Sequence, residues 1–164
     1  MFRLNTLKSV AIGSVAPGNL IILRHGAELC PAIIGSDRGP KLDKDPPATV
    51  IVDLKPGNAP VLYRPQNTSA KCIDLGKPEV RAAGERYEWF TLDTKYSRPG
   101  NIAIEEAGAW IISQDARNSG EAWLKIPTGD IASQRVDVFY VCRWELGVLD
   151  ADGKFLRLYL YASP

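Results

Sequence analysis

Apolar residues in this chain fall into short runs, and clusters of Pro, Gly, Asn and Asp interrupt them about every dozen positions. Stretches rich in β-branched and aromatic residues between such turn signals predict strands. They lie at 20–24, 28–34, 49–54, 61–64, 71–75, 87–92, 109–114, 121–126, 136–146 and 155–161. One segment, 77–83, reads as a short helix, with Pro78 in its first turn and Gly84 behind it. The long amphipathic helices that parallel crossovers need do not appear between the strands. The expected fold is all-β: a mainly antiparallel sandwich or partly open barrel of about ten strands with at most one short helix, in a single domain over residues 1–164.

Two hairpins can be read in register. Asp150-Ala151-Asp152-Gly153 suits a type I turn closed by a left-handed glycine. Pairing Asp150 with Lys154 sets Val148, Leu146 and Trp144 opposite Leu156, Leu158 and Leu160, so turn and hydrophobic pattern choose the same alignment. The other face then carries Arg143, Glu145, Phe155, Arg157, Tyr159 and Tyr161, an arginine and aromatic surface that is either a second buried layer or a binding face. In the second hairpin, pairing Asp115 with Glu121 aligns Trp110 with Ile126 and Ile112 with Leu124. Trp123 is left on the opposite side, between Glu121 and Lys125, as the best candidate for an exposed aromatic.

The polar segment 36–48, with its Asp, Lys, Gly and Pro, cannot feed a central strand and reads as a surface loop or a linker, the loop being preferred. Pro-Gly-Asn occurs at 17–19 and again at 56–58, which gives two similar turns rather than a repeat.

Composition narrows the chemistry. Twenty basic against nineteen acidic residues leave a net charge of +1, without the basic excess of a general polyanion binder. The single histidine, His25, cannot build a multi-imidazole metal site within one chain. Cys30, Cys72 and Cys142 are odd in number and far apart, with no C-x-x-C pair, a usage that suits a reducing compartment and hence the cytoplasm. The mildly apolar run at 10–16 loosely imitates a signal-peptide core, but it is short and Pro17 follows the cut. No apolar run reaches membrane-spanning length, so no membrane partner is expected.

Leu20-Ile21-Ile22-Leu23-Arg24-His25-Gly26 resembles the signature of the histidine phosphatase family. The resemblance implies a phosphorylated His25 and an Arg24 that holds the phosphate, on an α/β sandwich with a second histidine. This chain has neither the second histidine nor the helices. Gly-x-Ser-x-Gly and the Gly-rich phosphate loops are missing. Glu105, Glu106, Asp115, Glu121 and Asp130 lie near Trp110 and Trp123, so a glycosidase-like carboxylate pair is conceivable, although neighbouring Glu105 and Glu106 point to opposite faces of a strand. Asp150-x-Asp152-Gly153 begins like a calcium loop, but Tyr161 stands where the closing glutamate belongs.

No cofactor and no metal are expected. The function expected is a non-catalytic binding or assembly module that uses an aromatic and polar sheet face or loop, with Trp123, Arg143, Arg157, Tyr159 and Tyr161 as binding residues. A protein partner, a second copy or a glycan fits such a face; Glu145 and the neutral charge balance argue against nucleic acid. The alternative is a small hydrolase acting through carboxylates or the His25 region.

Overall fold

The computed structural model describes residues 7–38, 46–83, 90–132 and 138–162. These form an all-β structure of two sheets, with two single-turn 3₁₀ segments, Ile12–Ser14 and Thr94–Tyr96. Strands β1 (Lys8–Ala11), β2 (Leu20–His25), β3 (Glu28–Asp37), β4 (Ala48–Asp53), β5 (Val61–Tyr63) and β6 (Lys71–Gly76) make one half of the larger sheet, in the order β1-β6-β2-β3-β4-β5. Its other half holds β8 (Phe90–Thr91), β9 (Ile102–Glu105), β10 (Gly108–Asp115), β11 (Gly120–Ile126), β12 (Ile131–Ala132) and β13 (Phe139–Val141). The halves meet where β5 runs parallel to the end of β10, pairing Val61 with Gln114 and Leu62 with Asp115; every other ladder is antiparallel. The smaller sheet is β15 (Phe155–Ala162), β14 (Arg143–Leu149) and β7 (Glu79–Ala82), in that order. Neither sheet closes into a barrel, and the arrangement is sandwich-like.

The segment expected to be helical is instead β7, because the backbone of residues 79–82 completes a ladder with β14, with Val80 opposite Leu146. Tertiary pairing here overrides the Pro and Gly end signals, which a strand flanked by turns shares with a short helix. Strands β1, β9 and β12 are additional to the predicted set; they have two to four residues each, too few to show a periodicity. Segment 36–48 leaves from Ser36 and Asp37, which are paired with Thr49 and Ala48, so its ends belong to a hairpin. Its middle, 39–45, lies outside the described residues, as do 87–89 of the strand predicted at 87–92 and 136–137 of that predicted at 136–146.

Three clusters of buried side chains organise the interior. The first lies between the sheets, where Leu20, Ile33, Val50, Val52, Ile111 and Leu124 meet Trp144, Leu146, Val148 and Tyr159. The second sits behind β2, β3 and β4, where Ile21, Leu23, Ile34 and Ile51 are covered by Ile12 and Val15 from the chain after β1. The third backs the other half of the large sheet, with Trp110, Ile112, Trp123 and Tyr140. Sequence neighbours such as Ile33 and Ile34, or Ile111 and Ile112, therefore point into different cores, as the alternation of a strand requires. A sheet buried on both faces needs continuous apolar runs, and Ala32-Ile33-Ile34 and Val50-Ile51-Val52 supply them.

The C-terminal hairpin turns as expected, with the Asp150 N–H donating to Lys154 O at 2.9 Å and Gly153 at φ 75°. Its first pairs match the predicted register: Val148 faces Leu156. A bulge then intervenes, with Gly147 opposite Arg157 but Leu146 opposite Tyr159, leaving Leu158 as the extra residue. Gly147 makes this possible, since a Cβ there would collide with the Leu156 carbonyl.

Candidate functional site

The bulge decides the fate of the predicted binding face. Beyond it Tyr159 and Tyr161 turn to the side of Trp144, with ring centroids 5.2 and 6.3 Å from the indole. Their hydroxyls donate to Asn58 O at 2.7 Å and Pro99 O at 3.3 Å. Tyr159 is buried, Arg143 and Tyr161 are half-buried, and Arg157 alone is exposed, paired with Glu145 at 3.4 Å.

Trp123 corrects the expectation more sharply, for it is 0% exposed. The hairpin closes one residue tighter than predicted, pairing Asp115 with Gly120, so Ile112 lies opposite Trp123 and Ile111 opposite Leu124. Ser119 takes a left-handed φ of 60° and its N–H donates to Asp115 O at 2.9 Å, closing a four-residue connection. That one-residue shift moves Trp110 and Ile112 to the side of Trp123, where the third core covers all of them. The predicted binding residues therefore do not share an open surface.

A concave site exists elsewhere, at the open side of the second core. It is a cleft of about 500 Å³ between the end of β2, the middle of β4, β5 and the connection 64–70. Alternation along β2 turns Leu23 and His25 to the same side. Antiparallel pairing sets Tyr63 opposite Ile51, and these side chains with Leu23, Ile12 and Ala70 form an apolar floor. Connection 64–70 is tied across the opening by the Ile12 N–H to Ala70 O at 2.9 Å and the Gly13 N–H to Thr68 O at 2.8 Å. Asn67 Oδ1 accepts the Ser69 N–H at 2.9 Å, which holds the turn. Arg24, His25, Arg64 and Lys71 line the same cleft, and among the described residues no carboxylate does.

His25 Nε2 lies 3.4 Å from Asp53 Oδ2. Burial raises the Asp53 carboxyl above the ordinary range, against the opposing pull of His25, and its Oδ1 is buried with no hydrogen-bond partner among the described residues. Burial likewise pushes the Tyr63 phenol up to about 12, with Asp53 and then Cys30 adding to the effect. Cys30 is buried and its thiol is also raised, first by desolvation and then by Asp53.

At the other side of the cleft Arg64 is 3.5 Å from Asp37. Asp37 is gripped in turn by Arg117, whose guanidinium also makes a bidentate contact to buried Asp115 at 2.8 and 2.7 Å. The cleft is thus braced by an ion network that crosses from β3 to the β10–β11 hairpin.

Of the motif singled out from sequence at 20–26, Leu23, Arg24 and His25 line the cleft, and on an all-β scaffold rather than the α/β sandwich that the phosphatase resemblance implies. Tyr63, Arg64 and Lys71 carried no local signal; they meet through pairing across β4 and the tie of 64–70 to the first strands. Glu105 accepts the Trp110 Nε1–H at 2.8 Å, a structural role for one carboxylate of the conceivable glycosidase-like pair. Among the described residues no three His, Cys, Asp or Glu side chains converge as metal ligands, and no helix is long and apolar enough to cross a membrane. Comparison with protein-family models, with curated proteins and with solved structures gave no match, so the cleft stands on its own geometry.

Proposed function

We propose that this protein is a non-catalytic binding module and that its ligand is a small molecule seated in the cleft between β2, β4, β5 and residues 64–70. The observation that carries the reading is the combination of an apolar floor around Tyr63 with a polar rim in a concavity of about 500 Å³. That size and lining suit a drug-sized ligand, which takes its affinity from apolar burial and its orientation from a few polar groups. A tyrosine wall adds contact area with little side-chain entropy to lose. The outer face of the small sheet offers less, since Arg157 and Arg81 there are engaged by Glu145 and Glu79.

The test is a fragment screen by ¹H–¹⁵N correlation spectroscopy. Hits are expected to move the amides of residues 23–25 and 63–71. Tyr63→Ala should weaken those hits about tenfold, the cost of losing part of a buried aromatic contact. Hits confined to other surfaces, or hits indifferent to Tyr63→Ala, would overturn the assignment.

The second reading, a hydrolase, is favoured by one observation: the half-buried, upshifted Asp53 beside His25 at the cleft is the kind of pair that orients an imidazole as a base. Turnover of aryl ester or aryl phosphate substrates that disappears in His25→Asn would replace the binding reading with this one.

A further inference from the structure

Resting on the cleft as the binding site, we infer that its ligand is an uncharged ring compound, apolar on its faces, with a carboxamide-like edge that both donates and accepts hydrogen bonds. Strand alternation sorts the lining of the cleft by charge. Leu23 on β2, Ile51 on β4, Tyr63 on β5 and Cys72 on β6 share the face of the second core, and His25, two residues beyond Leu23, joins them. Arg24 and Lys71 alternate with these residues, so their side chains leave the sheet toward its other face and meet the cleft only at its margin. Arg64, just past the end of β5, is drawn to Asp37 at 3.5 Å. On the cleft's own face the charges are matched inside the protein. His25 lies 3.4 Å from Asp53, and Glu28 lies 3.4 Å from Lys55. Asp53 Oδ1 has no hydrogen-bond partner among the described residues, but it is buried and Asp53 does not line the cleft.

The groups left for a ligand are therefore neutral. Leu23, Ile51 and the Tyr63 ring form the floor, and the Tyr63 hydroxyl, Gln66 and Asn67 supply the polar contacts. Asn67 Oδ1 already accepts the Ser69 N–H, so its amide offers a ligand mainly its Nδ2 donor. The Gln66 carboxamide and the Tyr63 hydroxyl have no protein hydrogen-bond partner among the described residues, and each can donate and accept. Burial pushes the Tyr63 phenol up to about 12, which keeps its proton available at neutral pH. A charged head set against this floor would lose its water and find no unmatched counter-charge there. A carboxamide edge exchanges water for Gln66, Asn67 and the Tyr63 hydroxyl at little cost. A ring covers the floor with few torsions to freeze.

The experiment compares benzamide, benzoate and benzamidinium, which have nearly one shape and are neutral, anionic and cationic at neutral pH, with toluene as the apolar control. Binding is followed by amide shifts and calorimetry. Benzamide is expected to bind at residues 23–25 and 63–71 about tenfold more tightly than either ion, with an affinity that added salt does not change. Tyr63→Phe and Gln66→Ala should each weaken benzamide about fivefold and leave toluene unchanged. The probe series and the salt dependence use the unaltered protein, so they stand even if a variant fails to fold. Benzoate or benzamidinium binding in the cleft as tightly as benzamide would overturn the uncharged ligand and leave the cleft as a site. Toluene binding there as tightly as benzamide would overturn the carboxamide edge in the same way. Benzamide that shifts only amides elsewhere, or none, while no other probe reaches residues 23–25 and 63–71, would overturn both this inference and the cleft.

Discussion

Replacing Trp144 with alanine is expected to lower the unfolding free energy by about 4 kcal/mol, the scale of a large aromatic removed from a closed core. Trp144 is 0% exposed and lies among Leu146, Tyr159 and Tyr161 where the small sheet meets the large one. Its indole N–H donates to Gly100 O at 2.7 Å, joining β14 to the turn that precedes β9. Gly100 is at φ 103°, and a Cβ on it would enter the Tyr161 ring, so this corner has no slack with which to fill a cavity. Trp144→Phe keeps most of the volume but strands the Gly100 carbonyl, and should cost about 2 kcal/mol. Urea unfolding followed by circular dichroism measures both. A loss below about 1 kcal/mol for the alanine variant would mean that the two sheets do not depend on this contact.

Asp115→Asn should destabilise the protein by about 2 kcal/mol at neutral pH, and the loss should vanish in acid. Truncating one partner of a buried ion pair costs about 3–5 kcal/mol, reduced here because the Arg117 side chain is 27% exposed. The side-chain hydrogen bonds from Arg117 hold the Asp115 carboxyl below its ordinary range. A carboxyl depressed in the folded state contributes stability that is complete above its unfolded value, near 4, and is lost as pH falls through the lower folded value. The difference between the parent protein and the variant should therefore be flat from about pH 5 to 8 and shrink below about pH 4. A difference that grows on acidification would contradict this account of the Asp115–Arg117–Asp37 network. Because Arg117 also grips Asp37, which approaches Arg64, the same variant reports on how firmly the cleft's edge is held.

The sequence was informative where local chemistry decides the outcome. Asp150 to Gly153 prescribe a turn, and the turn sets the Val148–Leu156 register. The strand core at 20–24 runs one residue further to His25 and ends at the expected glycine turn. Where one residue of register or one bulge decides the outcome, the pattern was ambiguous. The connection at 116–119 closes on Gly120 rather than Glu121, and Leu158 is squeezed out opposite Gly147, so Trp123 and Tyr159 went from expected surface to core. Both errors share a cause, since an apolar-polar alternation presumes a wet face and these strands have a second or third core behind them. The cleft was illegible for a different reason. His25, Tyr63 and Lys71 are brought to one opening only by the pairing of five strands, and no spacing along the chain records that.

The doubly covered large sheet has an evolutionary consequence. In a sheet with one wet face, neutral drift can act on every second residue of a strand while the others are held. Over residues 32–34, 50–52 and 110–112 every position is walled in, so that freedom is gone and polar replacements should be rejected without a two-residue rhythm. Variants of this chain that persist should accumulate changes in the small sheet's outer face and the turns, leaving these triplets as islands of slow change whether or not they ever touch a ligand.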